Sequence, residues 1–151
     1  NTYYHNFVTH LLEAAFQREV YKLIDNGEGF DGDRLCEIKK AVLKKFWGDA
    51  VEIDDDAALT WMRQSHYYMG LYPYTYSASL TISTQAYLKI KEQGQPAIDA
   101  WLKFLKFDNC PAPIEAAKIA GVDITTDEPL KNTIKFLDET VDKIAELTKE
   151  L

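Results

Sequence analysis

Cysteine and histidine are scarce in this chain of 151 residues, which has two of the first and three of the second. Two cysteines, Cys36 and Cys110, are too few for a disulfide framework, so we expect a reducing compartment, the cytoplasm. Long apolar runs are also missing, since none approaches the roughly 20 residues that a membrane-spanning helix needs. The first residues, NTYYHNFVTH, lack the pattern of a signal peptide. We therefore expect no membrane partner.

Positive charge is in deficit as well. The 17 Lys and Arg residues against 24 Asp and Glu residues give a formal net charge of -7. An acidic surface repels phosphate backbones, so we expect no nucleic-acid partner. The 46% hydrophobic and 27% charged residues are typical of a folded protein. The length predicts one domain over 1–151, although the initial Asn suggests that this domain is a piece of a longer chain.

Apolar residues recur at three- and four-residue steps along most of the chain, which is the period of an amphipathic helix. The sequence predicts helix ends at Asn26-Gly27, Gly48, Gly94 and Gly121. The first predicted helix covers about 4–25, the second runs from a cap at Asp31 or Asp33 to Gly48, and a short third covers 57–64. A loop or irregular turn at 65–71 precedes a long helix that ends at Gln93. The next helices run from Pro96 through Leu105 and over 112–120, and the last is capped by Thr126 or Asp127, has Pro129 at an early position and reaches Leu147. The predicted fold class is a compact all-α domain of six or seven helices.

Metal-ligand spacing is absent from the sequence. His5 and His10 lie five residues apart, so they cannot form the one-turn histidine pair of an HExxH zinc site. His10 and Glu13 could share a helix face, but two ligands do not make a site, and we expect them on a solvated helix surface. The lone cysteines are expected to be small buried hydrophobes. We therefore expect no metal bound by this chain.

One constellation is unusual: His66 is followed within ten residues by Tyr67, Tyr68, Tyr72, Tyr74 and Tyr76. A tyrosine hydroxyl near a histidine can donate a hydrogen bond to the oxyanion that develops during acyl transfer. The same residues could instead form a packed aromatic cluster with its hydroxyls at the surface. The residues by themselves leave both interpretations open.

Residues 61–80, WMRQSHYYMGLYPYTYSASL, resemble a motif of approximate form W-x-R-x-P-H-F-Y-x-x-F-Y-V-Y-x-Y-A-T-G-L. The motif belongs to the C-terminal part of the oligoendopeptidase F group of M3 zinc metallopeptidases. The positions that match are Trp61, Arg63, His66, Tyr68, Tyr72, Tyr74, Tyr76 and Leu80. The segments AAFQREVYKLIDNGE, KKFWGD, AWLKFLK and AAKIAGVDITTDEPL also resemble elements of this family, in the family's order. Ser65, Leu71, Pro73 and Ser79 depart from it.

The resemblance implies the C-terminal helical fragment of a zinc-dependent oligoendopeptidase that hydrolyses short peptides. The family's HExxH helix and its downstream Glu ligand have no counterpart here, so zinc belongs to the parent enzyme and the fragment alone is expected to be inactive. By resemblance, His66, Tyr74 and then Tyr67 are the catalytic candidates for oxyanion stabilisation, and Tyr72 and Tyr76 are candidates for substrate binding.

The partners implied are oligopeptides and the N-terminal remainder of the same polypeptide. Removal of that remainder would leave an exposed cut surface that self-association could cover. The alternative function is a stand-alone helical module that binds a protein or peptide through its tyrosine cluster.

Overall fold

The computed structural model describes residues 2–107 and 111–149, and within these ranges the chain has seven α-helices and no strand. The helices are α1 (His10–Asp25), α2 (Gly32–Trp47), α3 (Asp55–Ala58), α4 (Tyr74–Gln93), α5 (Gln95–Leu105), α6 (Pro113–Ile119) and α7 (Glu128–Thr148). A π-helical segment, Tyr4–Thr9, precedes α1, and two 3-10 segments, Leu59–Arg63 and Ser65–Tyr68, lie between α3 and α4. The all-α prediction is confirmed.

The helix ends follow local sequence signals. Asp31, rather than Asp33, caps α2, because its side chain accepts a hydrogen bond of 3.0 Å from the backbone N–H of Arg34. Gly94 separates α4 from α5 with a φ of +66°, a backbone conformation that residues with a Cβ rarely adopt. The predicted loop at 65–71 contains a 3-10 turn, and Cys110 lies outside the described residues.

The chain divides into two compact units, Asn1–Ser77 and Ala78–Leu151. Two units within one chain are compatible with one domain or with two, so the single domain over 1–151 stays a prediction. None of the described helices combines the length and the apolar character that crossing a bilayer requires.

The interior of the first unit is unusually polar. α1 packs against α2 and contributes Phe16 to the core, yet its buried face also carries His10, Glu13 and Gln17, which are 3%, 8% and 3% exposed. Leu11, an apolar residue of the same helix, is 42% exposed. The helix was therefore predicted correctly, but the face that it buries is mainly polar rather than apolar.

Lys39 of α2 brings a positive charge into the same interior. It is 4% exposed, and its Nζ lies 5.6 Å from the centroid of the Phe16 ring. Burial lowers the pKa of Lys39, and the nearby negative charge of Glu13 offsets this effect in part.

A buried hydrogen-bond chain joins α4 to α7 in the second unit. The Gln85 amide donates to Thr133 Oγ1 at 3.0 Å, and the Thr133 hydroxyl donates to the Pro129 carbonyl at 2.9 Å. Thr133 is fully buried. Small apolar residues, including Ala86, Ala117 and Val122, fill the rest of this interior.

We expect Thr133→Val to lower the free energy of unfolding by about 1–3 kcal/mol, because the buried Gln85 amide loses its acceptor. Equilibrium urea denaturation followed by circular dichroism measures this loss. Thr148→Val is the matched control, since the Thr148 hydroxyl makes the same kind of bond, to Ile144, on the surface. A loss as large in Thr148→Val would contradict the role of burial.

We expect Lys39→Met to raise the free energy of unfolding at neutral pH by about 1–2 kcal/mol, because it removes a buried charge. The folded chain has the lower Lys39 pKa, so between the two pKa values the unfolded chain binds more protons and wild-type stability rises with pH. The advantage of Lys39→Met should therefore shrink as the pH approaches about 10.4. Denaturation at several pH values measures it.

Lys40→Met is the matched control for this prediction, because Lys40 is exposed and pairs with the exposed Asp55. Its effect should stay within about 0.5 kcal/mol at every pH. A Lys39→Met protein that is less stable than wild type, with no pH dependence in the difference, would contradict the prediction.

Candidate functional site

The candidate site is built on α1 and on the tyrosine-rich segment 66–76, both within the first unit. The Tyr76 ring stacks on the His10 ring with centroids 4.0 Å apart and an interplanar angle of 17°. The Tyr76 hydroxyl is 3.2 Å from His66 Nε2. These two contacts fix the position of the His66 ring against α1.

His66, Tyr72 and Tyr76 form a compact ring group. Their ring centroids are 5.2 Å apart for His66 and Tyr72, 5.3 Å for His66 and Tyr76, and 5.5 Å for Tyr72 and Tyr76. The structure thus brings together three of the five residues that the sequence nominated.

Glu13 lies beneath this ring group as a buried acceptor. Its Oε2 is 2.6 Å from His10 Nδ1, and its Oε1 accepts from the Gln64 side-chain amide. An ionised carboxylate has no proton to donate, so His10 is the donor in the first pair. Two donors offset much of the cost of burying this carboxylate.

Tyr67 faces the same interior from the other side. Its ring packs on Phe16 at 5.2 Å, and its hydroxyl is buried without a hydrogen-bond partner in the part of the chain that the structure describes. Burial, and then the charge of Glu13, raises the pKa of Tyr67 well above its ordinary value. Tyr67 therefore stays a neutral phenol that can donate to a ligand.

Tyr76 is also held in its neutral form. The hydrogen bond with Tyr72 is the largest cause that raises the pKa of Tyr76, followed by burial and the charge of Tyr72 and Glu13. The site thus offers neutral phenol donors at neutral and mildly alkaline pH.

Tyr74 stands apart from this group. Its side chain is 51% exposed, and no ring contact or side-chain hydrogen bond within the described ranges involves it. Tyr68 is 89% exposed. Both hydroxyls are open to a ligand or to a neighbouring polypeptide.

The sequence-based placement of His10 and Glu13 on a solvated surface is wrong, because both side chains are buried. Their burial depends on Gln64 and His66, which lie more than 50 residues further along the chain. One sequence signal for this burial was available. His10, Glu13 and Gln17 are spaced so that they lie on one face of α1, which makes that face polar. Cys36 is half-buried and accepts from the Trp61 indole N–H at 3.4 Å.

A cavity of about 460 Å³ opens beside Glu13. The residues that line it include Glu13, Gln64, Lys39 and Arg63. A cavity with an acceptor, a donor and two cations can hold a polar group such as a peptide carboxylate or amide.

No family model matches the chain. Individual relatives do. The chain is 31% identical over 134 residues to "Oligopeptidase PepF" of Bacillus subtilis, covering 89% of this chain and 20% of that protein. It is 27% identical over 141 residues to an "Oligoendopeptidase F homolog" of Borreliella burgdorferi, covering 93% of this chain and 24% of that protein.

A solved structure agrees with these relatives. The crystal structure of oligoendopeptidase-F from Enterococcus faecium superposes with a TM-score of 0.87 at 25% identity, over 94% of this chain and 27% of that one. The chain spans about a fifth to a quarter of the length of the curated relatives described above. It therefore resembles a C-terminal portion of oligoendopeptidase F over nearly its whole length.

Proposed function

We propose that this chain is the C-terminal helical part of a zinc-dependent oligoendopeptidase that hydrolyses peptide bonds in short peptides. The observation that carries the proposal is the ring group of His66, Tyr72 and Tyr76, held against α1 within the segment that resembles the family's motif. The similarity of the rest of the chain to oligoendopeptidases supports it.

In this proposal the site supplies hydrogen-bond donors to the reacting peptide. His66, Tyr74 and Tyr67 stabilise the oxyanion of the tetrahedral intermediate, and Tyr72 and Tyr76 hold the substrate backbone. The raised pKa of Tyr67 supports its part, because a phenol must keep its proton to donate. The exposure of Tyr74 supports its part, because its hydroxyl is free to reach a substrate.

The catalytic zinc is assigned to the rest of the longer polypeptide. The chain has no HExxH sequence, so its residues do not fit that zinc site, and we derive no step through it. The free Cys36 agrees with a reducing compartment, and we propose the cytoplasm.

Exposed apolar surface supports a missing N-terminal partner. The apolar stripe of α7 lies at the surface, with Ile134, Val141 and Ile144 51%, 62% and 59% exposed. A groove of about 970 Å³ along α1 and α2 is lined by apolar residues that include Leu11 and Phe46, together with charged residues such as Arg18 and Glu37. Open apolar patches of this kind mark surfaces that another polypeptide covers.

The second candidate function is a stand-alone docking module. The observation that favours it is the exposure of Tyr68, Met69, Leu71 and Tyr74, at 89%, 56%, 53% and 51%. Such a group of aromatic and apolar side chains is typical of peptide-docking patches. The module needs no zinc and no second half, so the experiments below separate the two functions.

We expect Tyr67→Phe and Tyr74→Phe, each made in the longer polypeptide that carries an HExxH segment, to lower kcat by about 10²–10³-fold. The reason is the loss of one donor to the oxyanion. Hydrolysis of a quenched fluorescent oligopeptide measures kcat, and zinc content should not change.

Tyr87→Phe is the control for these variants, because Tyr87 belongs to the second unit and contacts Phe136. Its kcat should match wild type. An unaltered kcat in Tyr74→Phe would remove Tyr74 from the catalytic set, and the same result in Tyr67→Phe would remove Tyr67.

We expect the 151-residue chain by itself to show no chelator-sensitive hydrolysis of the same oligopeptide, with or without added zinc. The reason is the absence of the family's general-base Glu from the sequence. Mixing the chain with the remaining part of the polypeptide, produced separately, should restore hydrolysis. Turnover by the chain alone that a chelator abolishes would contradict the proposal.

A further inference from the structure

Three potential metal ligands converge beneath the tyrosine segment. His10 and Glu13 come from α1, and His66 comes from the 3-10 segment that precedes α4. One ligand atom from each residue lies within 4.8 Å of one from each of the other two. We propose that His10, Glu13 and His66 together bind one divalent transition-metal ion, preferentially Zn²⁺, which replaces the expectation from sequence spacing that this chain binds no metal.

The donor set fits this metal. Two imidazole nitrogens and one carboxylate oxygen are ligands that Zn²⁺ accepts in proteins, with a fourth position left for water. Imidazole also disfavours the hard cations Mg²⁺ and Ca²⁺, which prefer oxygen ligands throughout. The site is therefore expected to reject those two ions.

His66 has a nitrogen in the right state to bind. Its Nε2 is hydrogen-bonded to the Tyr76 hydroxyl, while its Nδ1 is buried without a partner in the described residues. When the ring proton is on Nε2 and donates to Tyr76, Nδ1 presents a lone pair. A histidine ligand whose other ring nitrogen is held by a hydrogen bond is the usual arrangement around protein-bound metals.

Glu13, like His66, is held by a hydrogen bond to the atom that does not bind the metal. The Gln64 amide donates to its Oε1, and Oε2 points at His10. This outer hydrogen bond leaves Oε2 to the ion and limits rotation of the carboxylate. The metal takes the place of the proton that His10 donates to Glu13.

The movement that this requires is small. Ligand atoms at about 2.1 Å from a tetrahedral zinc ion are roughly 3.4 Å from one another. The distance of 2.6 Å between His10 Nδ1 and Glu13 Oε2 must therefore increase by about 1 Å, and any ligand atoms as far apart as 4.8 Å must approach each other by about 1–1.5 Å. Side-chain rotations on α1 and in the 3-10 segment supply such shifts.

The proposal does not depend on the peptidase function, but the two roles of His66 exclude each other: an ion on Nδ1, with Nε2 donating to Tyr76, leaves no nitrogen to donate to an oxyanion. The three ligands belong to this chain, and they differ from the HExxH zinc site assigned to the rest of the parent polypeptide. The bound ion would engage Glu13 as a ligand, so Glu13 would not be available as a general base.

The test is to titrate the purified 151-residue chain with Zn²⁺ and with Co²⁺. Calorimetry measures zinc binding, and the visible absorption of cobalt measures cobalt binding. We expect one ion per chain, cobalt bands of four-coordinate geometry, and a rise in Tm with zinc. Mg²⁺ should give neither heat nor a shift. If the wild-type chain binds neither zinc nor cobalt stoichiometrically, the proposal is overturned, and no variant is needed to reach that result.

His66→Gln should weaken zinc binding by at least about tenfold, and circular dichroism and Tm without metal report whether the variant is folded. His5→Gln is the matched control, because its ring is 5.0 Å from that of His10 but belongs outside the ligand group. It should leave the affinity within about twofold. Loss of binding in His5→Gln with full binding in His66→Gln would overturn the assignment.

Lys39→Met is expected to strengthen zinc binding, whereas His66→Gln is expected to weaken it. Removal of the ammonium that interacts with Glu13 leaves a more negative site, so zinc affinity should rise. Unchanged or weaker binding in a folded Lys39→Met protein would count against Glu13 as a ligand.

Discussion

The polar interior of the first unit depends on one buried carboxylate, that of Glu13. A carboxylate loses its hydration on burial and needs donors in return, and His10 and Gln64 provide them. Its charge reaches further than its hydrogen bonds. Burial is the main cause that raises the pKa of Tyr67 and lowers the pKa of Lys39, and the charge of Glu13 adds to the first effect and opposes the second.

The same interaction holds an irregular stretch of chain in place. Between α3 and α4 the backbone forms only short 3-10 segments, which have few regular hydrogen bonds of their own. Side chains compensate: Gln64 bonds to Glu13, Gln17 donates to the Gly70 carbonyl, and Ser77 donates to the Phe7 carbonyl at 3.0 Å. The His66 and tyrosine side chains are therefore preorganised before any ligand arrives.

The structure also has surfaces that its own residues do not cover. The apolar stripe of α7 and the groove along α1 and α2 are open, although an amphipathic helix normally buries its apolar face. In the proposed function these surfaces are covered by the rest of a longer polypeptide, and the chain spans a fifth to a quarter of the length of its relatives. The sequence pattern alone could not separate this case from that of a fully covered domain.

The sequence by itself determined the helices, their approximate ends and the resemblance to a peptidase family. These features rest on local signals: the apolar period, the Asp31 cap, the Gly94 break and the linear motif at 61–80. The tertiary structure decided which face of α1 is buried and which side chains meet His66. The physical reason is distance along the chain, because Gln64 and His66 approach Glu13 from more than 50 residues away, and no periodicity encodes such a contact.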